Sequence, residues 1–255
     1  MRTRAFTVRN IKELLRDPLS YIFCLCFPII MLIVMTIINN NIPTDIPGTP
    51  QVFVIDQLTP GIAVFALTFL MLFTCIQISK DRSSAFLTRL YVSPMKSGEY
   101  ILGYTISFGI IGLAQLIVTY ACGEVIALMK GTSFDIVNIL ISILIFIPSI
   151  MLFIGIGSII GTLFNDKAAP GISSAFITMA AILGGIWMDV ETLGGSWKTI
   201  CEYFPFYHSV KAARFALAGN FEDMVQPLLI CTAFAVVIYV LAVIVFSVKM
   251  KSDKK

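Results

Sequence analysis

Lys80, Arg82, Arg89 and Lys96 fall within one polar stretch, Lys80–Gly103, of an otherwise apolar chain. The same stretch holds Phe86, Leu87 and Leu90, which share one face at helical spacing. Ser93-Pro94 ends that helix, because the residue before a proline is pushed out of the helical region. Cations around a short apolar stripe do docking chemistry rather than bond-breaking chemistry. They suit a short amphipathic helix held at the cytoplasmic surface between two membrane spans and gripped by a soluble partner.

Residues for bond-breaking are missing. The sequence has no G-x-x-x-x-G-K-[ST] loop to hold ATP, no H-E-x-x-H pair and no G-x-S-x-G elbow. Gly157-Ser158 comes nearest to a nucleophile motif and has no histidine near it in sequence. His208 is the only histidine and reads as a surface or interfacial residue. The six cysteines, Cys24, Cys26, Cys75, Cys122, Cys201 and Cys231, show no C-x-x-C or Cys/His metal spacing and read as packing residues. The apolar segments also lack the relay of acids and arginines that ion-coupled transporters use. The chain reads as no enzyme by itself, and any energy source belongs to another polypeptide.

Two polar residues interrupt the third apolar segment. Gln115 near its centre reads either as an interhelical hydrogen-bonding group or as a polar point on a translocation route. Glu124 reads either as a costly intramembrane charge or as a headgroup-level carboxylate near Lys130.

These residues sit in a framework set by hydropathy. The chain is 58% hydrophobic and 13% charged, against about 25% charged for a soluble domain. Six segments approach the roughly 20 apolar residues needed to cross a bilayer: Leu19–Ile38, Leu58–Ile78, Tyr100–Gly123, Ile136–Phe164, Ala168–Met188 and Val225–Val248. The expectation is a single all-α transmembrane domain over residues 1–255. With six spans both termini lie on one side. That side carries 14 of the 18 Lys and Arg, which marks it as cytoplasmic.

The connections have their own signals. In residues 1–18, Val8, Ile11, Leu14 and Leu15 oppose Arg2, Arg9, Lys12, Glu13 and Arg16, the pattern of an interfacial helix. Asp17-Pro18 pairs a cap with a first-turn proline, and Pro28 should kink the first span. Residues 39–57, with three prolines and a glycine, predict an irregular external loop. Ile136–Asn165 is too long to cross upright without a tilt or a kink at Pro148, and Gly157-x-x-x-Gly161 offers a surface for close helix contact. In Asp189–Met224, Trp197, Ile200 and Phe204, then Val210, Ala213 and Leu217 after Pro205, predict two short amphipathic helices in an outer re-entrant hairpin. That hairpin is the expected external gate, with Trp197, Phe204, Pro205 and Phe206 at its bend.

Two ordered motifs carry a family resemblance. Arg89-Leu90-Tyr91-Val92-Ser93-Pro94 with Ile101-Leu102-Gly103 is similar to an R-L-x-x-S/T-P…I-L-G segment, and Trp197…Phe204-Pro205-Phe206-Tyr207…Arg214 is similar to a W…N-P-x-x-Y…R hairpin. With this topology the chain resembles the integral-membrane permease of type-2 ABC exporters, often paired with drug- or antibiotic-export ATPases. Ala85, Phe86 and Thr88 depart from the family's usual Gly-Thr-x-Glu, and Phe204 from its Asn. The resemblance implies a half-transporter in a bacterial plasma membrane. Two permease subunits, identical or paralogous, would join two cytosolic ATPases that bind ATP and magnesium. In the 80–97 coupling segment, Arg82 and Arg89 would face acidic groups of the ATPase while Phe86, Leu87, Leu90 and the adjoining Tyr91 pack in its groove. The cargo expected is amphipathic or lipophilic, such as a drug, antibiotic, peptide or lipid-like molecule, and no nucleic acid is involved. The alternative reading is a membrane scaffold or immunity protein that binds a partner without pumping.

Overall fold

The computed structural model describes residues 2–41, 51–84 and 96–252, and every regular element among them is helical. In chain order these are α1 (Arg2–Leu14), α2 (Pro18–Tyr21), a π-helical turn (Ile22–Cys26), α3 (Phe27–Asn40), a short 3-10 turn (Gln51–Phe53), α4 (Ile55–Ser83), α5 (Ser97–Met129), α6 (Ile136–Leu163), α7 (Ala169–Leu183), α8 (Val190–Leu193), α9 (Gly195–Glu202), α10 (Pro205–Leu217) and α11 (Phe221–Ser252). Most of the external loop and residues 85–95 of the coupling segment lie outside the described residues.

Five helical units are long and apolar enough to cross a membrane: Pro18–Asn40, α4, α5, α6 and Phe221–Lys251. The sixth expected span is shorter than the sequence pattern predicts. Instead of running to Met188, its helix α7 stops at Leu183 after 15 residues, roughly 22 Å of rise. Gly184 caps it, and Gly185 takes a left-handed conformation at φ 66° that ends the helical path.

Local signals explain several boundaries. Asp17 caps α2, its carboxylate accepting from Leu19 N at 3.2 Å and Ser20 Oγ at 2.8 Å. Pro28 falls in the first turn of α3, directly after the π-helical turn, so the irregularity lies where its missing N–H and bulky ring disturb the preceding carbonyls. Pro148, in contrast, sits inside an unbroken α6. Asp135 starts that helix by accepting from Val137 N at 2.7 Å.

Helix α4 is the central post. Its most apolar window is 78% buried, against 24% for Pro18–Asn40 and 17% for α11, so those two leave most of their surface for lipid or another subunit. The α4–α6 crossing is made close by glycine. A Cβ on Gly157 would lie 2.4 Å from Met71 O, and one on Gly161 would lie 2.5 Å from Cys75 O. The small-residue surface read from the sequence therefore seats backbone against backbone. Gly155, on another side of α6, meets Ile238 of α11.

Both described ends of the chain meet at one end of the bundle. Phe6 of α1 stands edge-on to Tyr100 and Tyr104 of α5, and Tyr100 reaches Phe246 of α11. Helix α1 buries Phe6, Asn10 and Leu14, whereas Val8 and Leu15 stay exposed. The packed face is thus turned from the expected one, because Arg9 and Asn10 lie toward polar groups of the bundle rather than toward water.

Candidate functional sites at the two ends of the bundle

At the end shared by the termini, α1, α4 and α5 converge on Asp81. This carboxylate stands in the last turn of α4 and is only 2% exposed. Arg9 grips it with both terminal nitrogens, Nη1 to Oδ2 and Nη2 to Oδ1, each at 2.8 Å. The Tyr104 hydroxyl donates to Oδ2 at 2.6 Å, and Gln77 Nε2 donates to both oxygens at 3.3 Å. Gln77 also donates to Glu13 at 3.0 Å, and Glu13 pairs with Arg9 at 2.6 Å. A buried charge survives only when paired and hydrogen-bonded, and this one has both. Sequence reading missed the whole cluster. Its one visible signal was the Gln77–Asp81 spacing, which puts an amide and an acid on one face at the end of an apolar helix.

Arg82, the next residue, turns elsewhere. Its Nη1 donates to the carbonyls of Gly161, Thr162 and Phe164, at 3.3 Å for Gly161 and 3.4 Å for Phe164. It therefore caps the C-terminus of α6, where free carbonyls and the helix dipole favour a cation. Phe86, Leu87, Arg89, Leu90 and Tyr91 lie outside the described residues. Lys96 lies at the N-cap of α5, where its backbone N–H donates to Glu99 Oε2 at 2.7 Å.

Gln115 is fully buried on α5, and neither its amide nitrogen nor its oxygen has a hydrogen-bond partner among the described residues. Glu124 is half-buried and accepts from the backbone N–H of Phe134 at 2.9 Å, which fixes the turn between α5 and α6. Lys130 is exposed, and no ion pair joins it to Glu124 among the described residues.

At the opposite end, α8, α9 and α10 form the segment before the last span. Pro205 begins α10, and Phe204 at its N-cap stacks on Phe206 at 6.4 Å. Phe206 stacks in turn on Phe153 of α6 at 5.7 Å, so the bend is fastened to the bundle. Val210, Ala213 and Leu217 are buried as their spacing predicts, whereas Ile200 of α9 is exposed and Cys201 is the buried residue. Trp197 packs against the Val190, Cys201 and Tyr207 cluster, with its Nε1 unpartnered among the described residues. His208, expected to be a surface or interfacial residue, does not stand at the surface. It is buried, and its Nε2 lies 2.8 Å from Glu202 O.

Glu191 of α8 ties this segment together. Lys198 and Lys211 pair with it, and the Tyr207 hydroxyl donates to it. Burial pulls the Glu191 carboxyl upward, but these three donors outweigh it and hold the group down at about 2. Glu191, Tyr207, Lys211 and Arg214 line a cavity of about 460 Å³ with Val52, Gln57 and the Gly184–Gly185 turn. Burial pushes the Arg214 guanidinium down to about 10, partly offset by Asp189 and Asp56, so it stays charged at neutral pH.

No nucleophile–base pair occurs in either polar assembly. The Asp81 assembly joins helices distant in sequence, whereas the Glu191 assembly ties together three helices that follow one another in the chain. The family described as ABC-2 type transporter matches residues 1–218. The chain belongs to that family. It is similar to "Putative transport permease YvfS" of Bacillus subtilis (strain 168), with 22% identity over 204 residues, covering 79% of this chain and 80% of that protein. The chain is a membrane transport subunit of an ABC transporter and is not itself the catalytic subunit.

Proposed function

We propose that the chain is the permease half of an ATP-driven exporter, moving an amphipathic or lipophilic cargo outward across a bacterial plasma membrane. The observation that carries this reading is the family match over residues 1–218, which takes in every polar assembly described above. Permeases of this family work with ABC ATPases. Two ATPase copies, holding ATP and magnesium, and a second permease subunit complete the proposed machine. The charge asymmetry of the loops supports cytoplasmic termini and an α1 lying along the inner surface. The 80–97 segment is then the ATPase contact, reached directly from the base of α4. The hairpin end is the proposed outer gate, with Gln115 and Glu124 along the route between. Thrust on the segment passes into α4, and through Asp81 into α1 and α5.

Tagged protein purified in detergent should bring down an ABC ATPase. The double variant Phe86→Asp, Leu90→Asp should still insert but lose that partner and its transport. Full transport with retained ATPase in the double variant would sink the coupling assignment. A pure monomer with no ATPase in any preparation would instead favour a scaffold.

A further inference from the structure

The cavity at the hairpin end is lined by charges that are unequally satisfied. Asp189 is engaged as the N-cap of α8, accepting from Glu191 N, Thr192 N and the Thr192 hydroxyl. Glu191 is held by Lys198, Lys211 and Tyr207. Lys211 donates to Glu191 at 2.8 Å and to the Tyr207 oxygen at 3.2 Å.

Arg214 is the exception. Its Nε donates to Gln57 O at 3.1 Å. Its Nη2 is sealed from solvent beside Gly61 and has no hydrogen-bond partner among the described residues. No other hydrogen bond leaves the guanidinium among the described residues. Asp56 and Asp189 act on it through space, yet neither accepts a hydrogen bond from it. A guanidinium presents five N–H donors in a rigid fork matched to oxyanions. A buried charged donor left unmet is costly, so the fork is poised for an acceptor that the described residues do not supply.

The cavity has room for more than a bare ion. Its volume of about 460 Å³ lies within the usual range for small-molecule sites, about 300–1,000 Å³. Val52, Val190, Val210, Phe215 and Ala218 give it apolar wall beside the charge. We propose that this cavity binds an oxyanion group, phosphate or carboxylate, with Arg214 as its anchor and Lys211 as the neighbouring cation. The assignment is independent of the transport reading, because it concerns equilibrium binding to this chain alone.

The test uses the full chain in nanodiscs of zwitterionic lipid, with empty discs as reference. The probe is radiolabelled dodecyl phosphate, and inorganic phosphate is the competitor. Saturable binding above the empty discs is expected. Competition by inorganic phosphate would show that the free oxyanion suffices, whereas failure to compete would assign the site to the headgroup of an amphiphile. Arg214→Gln should weaken binding at least tenfold, and Arg214→Lys should lose less. Ala218→Phe fills the cavity while leaving the guanidinium in the chain and should also abolish binding, which keeps the test decisive if Arg214→Gln does not fold. Lys12→Gln, on α1, should change nothing. Absence of saturable binding, wild-type binding by folded Arg214→Gln or by Ala218→Phe, or an equal loss in Lys12→Gln would overturn the assignment.

Discussion

Arg9 and Asp81, 72 residues apart in sequence, meet in a two-pronged ion pair with both contacts at 2.8 Å. The pair fastens α1 to the last turn of α4, the helix from which the 80–97 segment departs. Removing one partner of a buried pair leaves the other charge uncompensated, at a cost of about 3 kcal/mol. Arg9→Gln should therefore lower the thermal midpoint of the purified protein. Asp81→Asn should lower it less, because it removes the buried charge itself and keeps an acceptor for Tyr104. The double variant should lose less than the sum of the singles, which a double-mutant cycle of unfolding would measure. All three variants should lower cargo-stimulated ATP hydrolysis in the assembled complex.

The α4–α6 crossing predicts a graded glycine series. A Cβ at Gly157 meets the carbonyl of Met71, and backbone cannot step aside. Gly157→Ala should destabilise by about 1–3 kcal/mol, the usual cost of overpacking. Gly155→Ala meets a methyl of Ile238, which can rotate, and should cost less. Gly109→Ala meets nothing within 4 Å and should be neutral or slightly stabilising. Thermal midpoints in one detergent would rank the three, and equal losses would refute the crossing geometry.

What the sequence made legible follows from what hydropathy and spacing encode. Five of the six span positions, the Asp17-Pro18 start, the close face of Gly157 and Gly161, and the buried stripe of α10 depend on local pattern, and these are found. The early end of α7 was missed because Gly184-Gly185 is apolar enough to extend a hydropathy window while its backbone ends the helix. The α1 face was misread because Arg9 and Asn10 look solvent-bound until Asp81 is placed opposite them. Glu191 was passed over for a similar reason, since its three donors come from α9 and α10. Ion pairs between separate elements, near or distant in sequence, leave no periodic trace.

Gln115 offers a separation of packing from cargo contact. Its amide is wholly buried and unpartnered among the described residues, so Gln115→Leu removes two unmet polar atoms at similar volume. The variant should gain about 1–2 kcal/mol of stability, the cost of leaving such groups unpaired. If the amide also meets cargo as α5 shifts, the same variant should show weaker cargo stimulation of ATP hydrolysis. A higher thermal midpoint with unchanged stimulation would assign the residue to packing alone.

Glu191 makes the hairpin end acid-sensitive in a defined direction. Its carboxyl ordinarily titrates near 4.5 and is held in the folded protein at about 2. A depressed carboxyl contributes stability that is fully present above its unfolded value. That contribution fades as pH falls from about 4.5 toward about 2, when protonation releases Lys198 and Lys211. The group is half-exposed, so the effect should be local rather than global. Hydrogen exchange of α8 and α9 amides, corrected for intrinsic rates, should speed up across that window in the wild type. Glu191→Gln should exchange faster already at neutral pH and show a flatter pH response, while α4 amides change equally in both proteins. A wild-type hairpin whose protection is constant down to about pH 2, or a Glu191→Gln variant with the same pH profile, would show that the carboxylate does not hold α8 to α9 and α10.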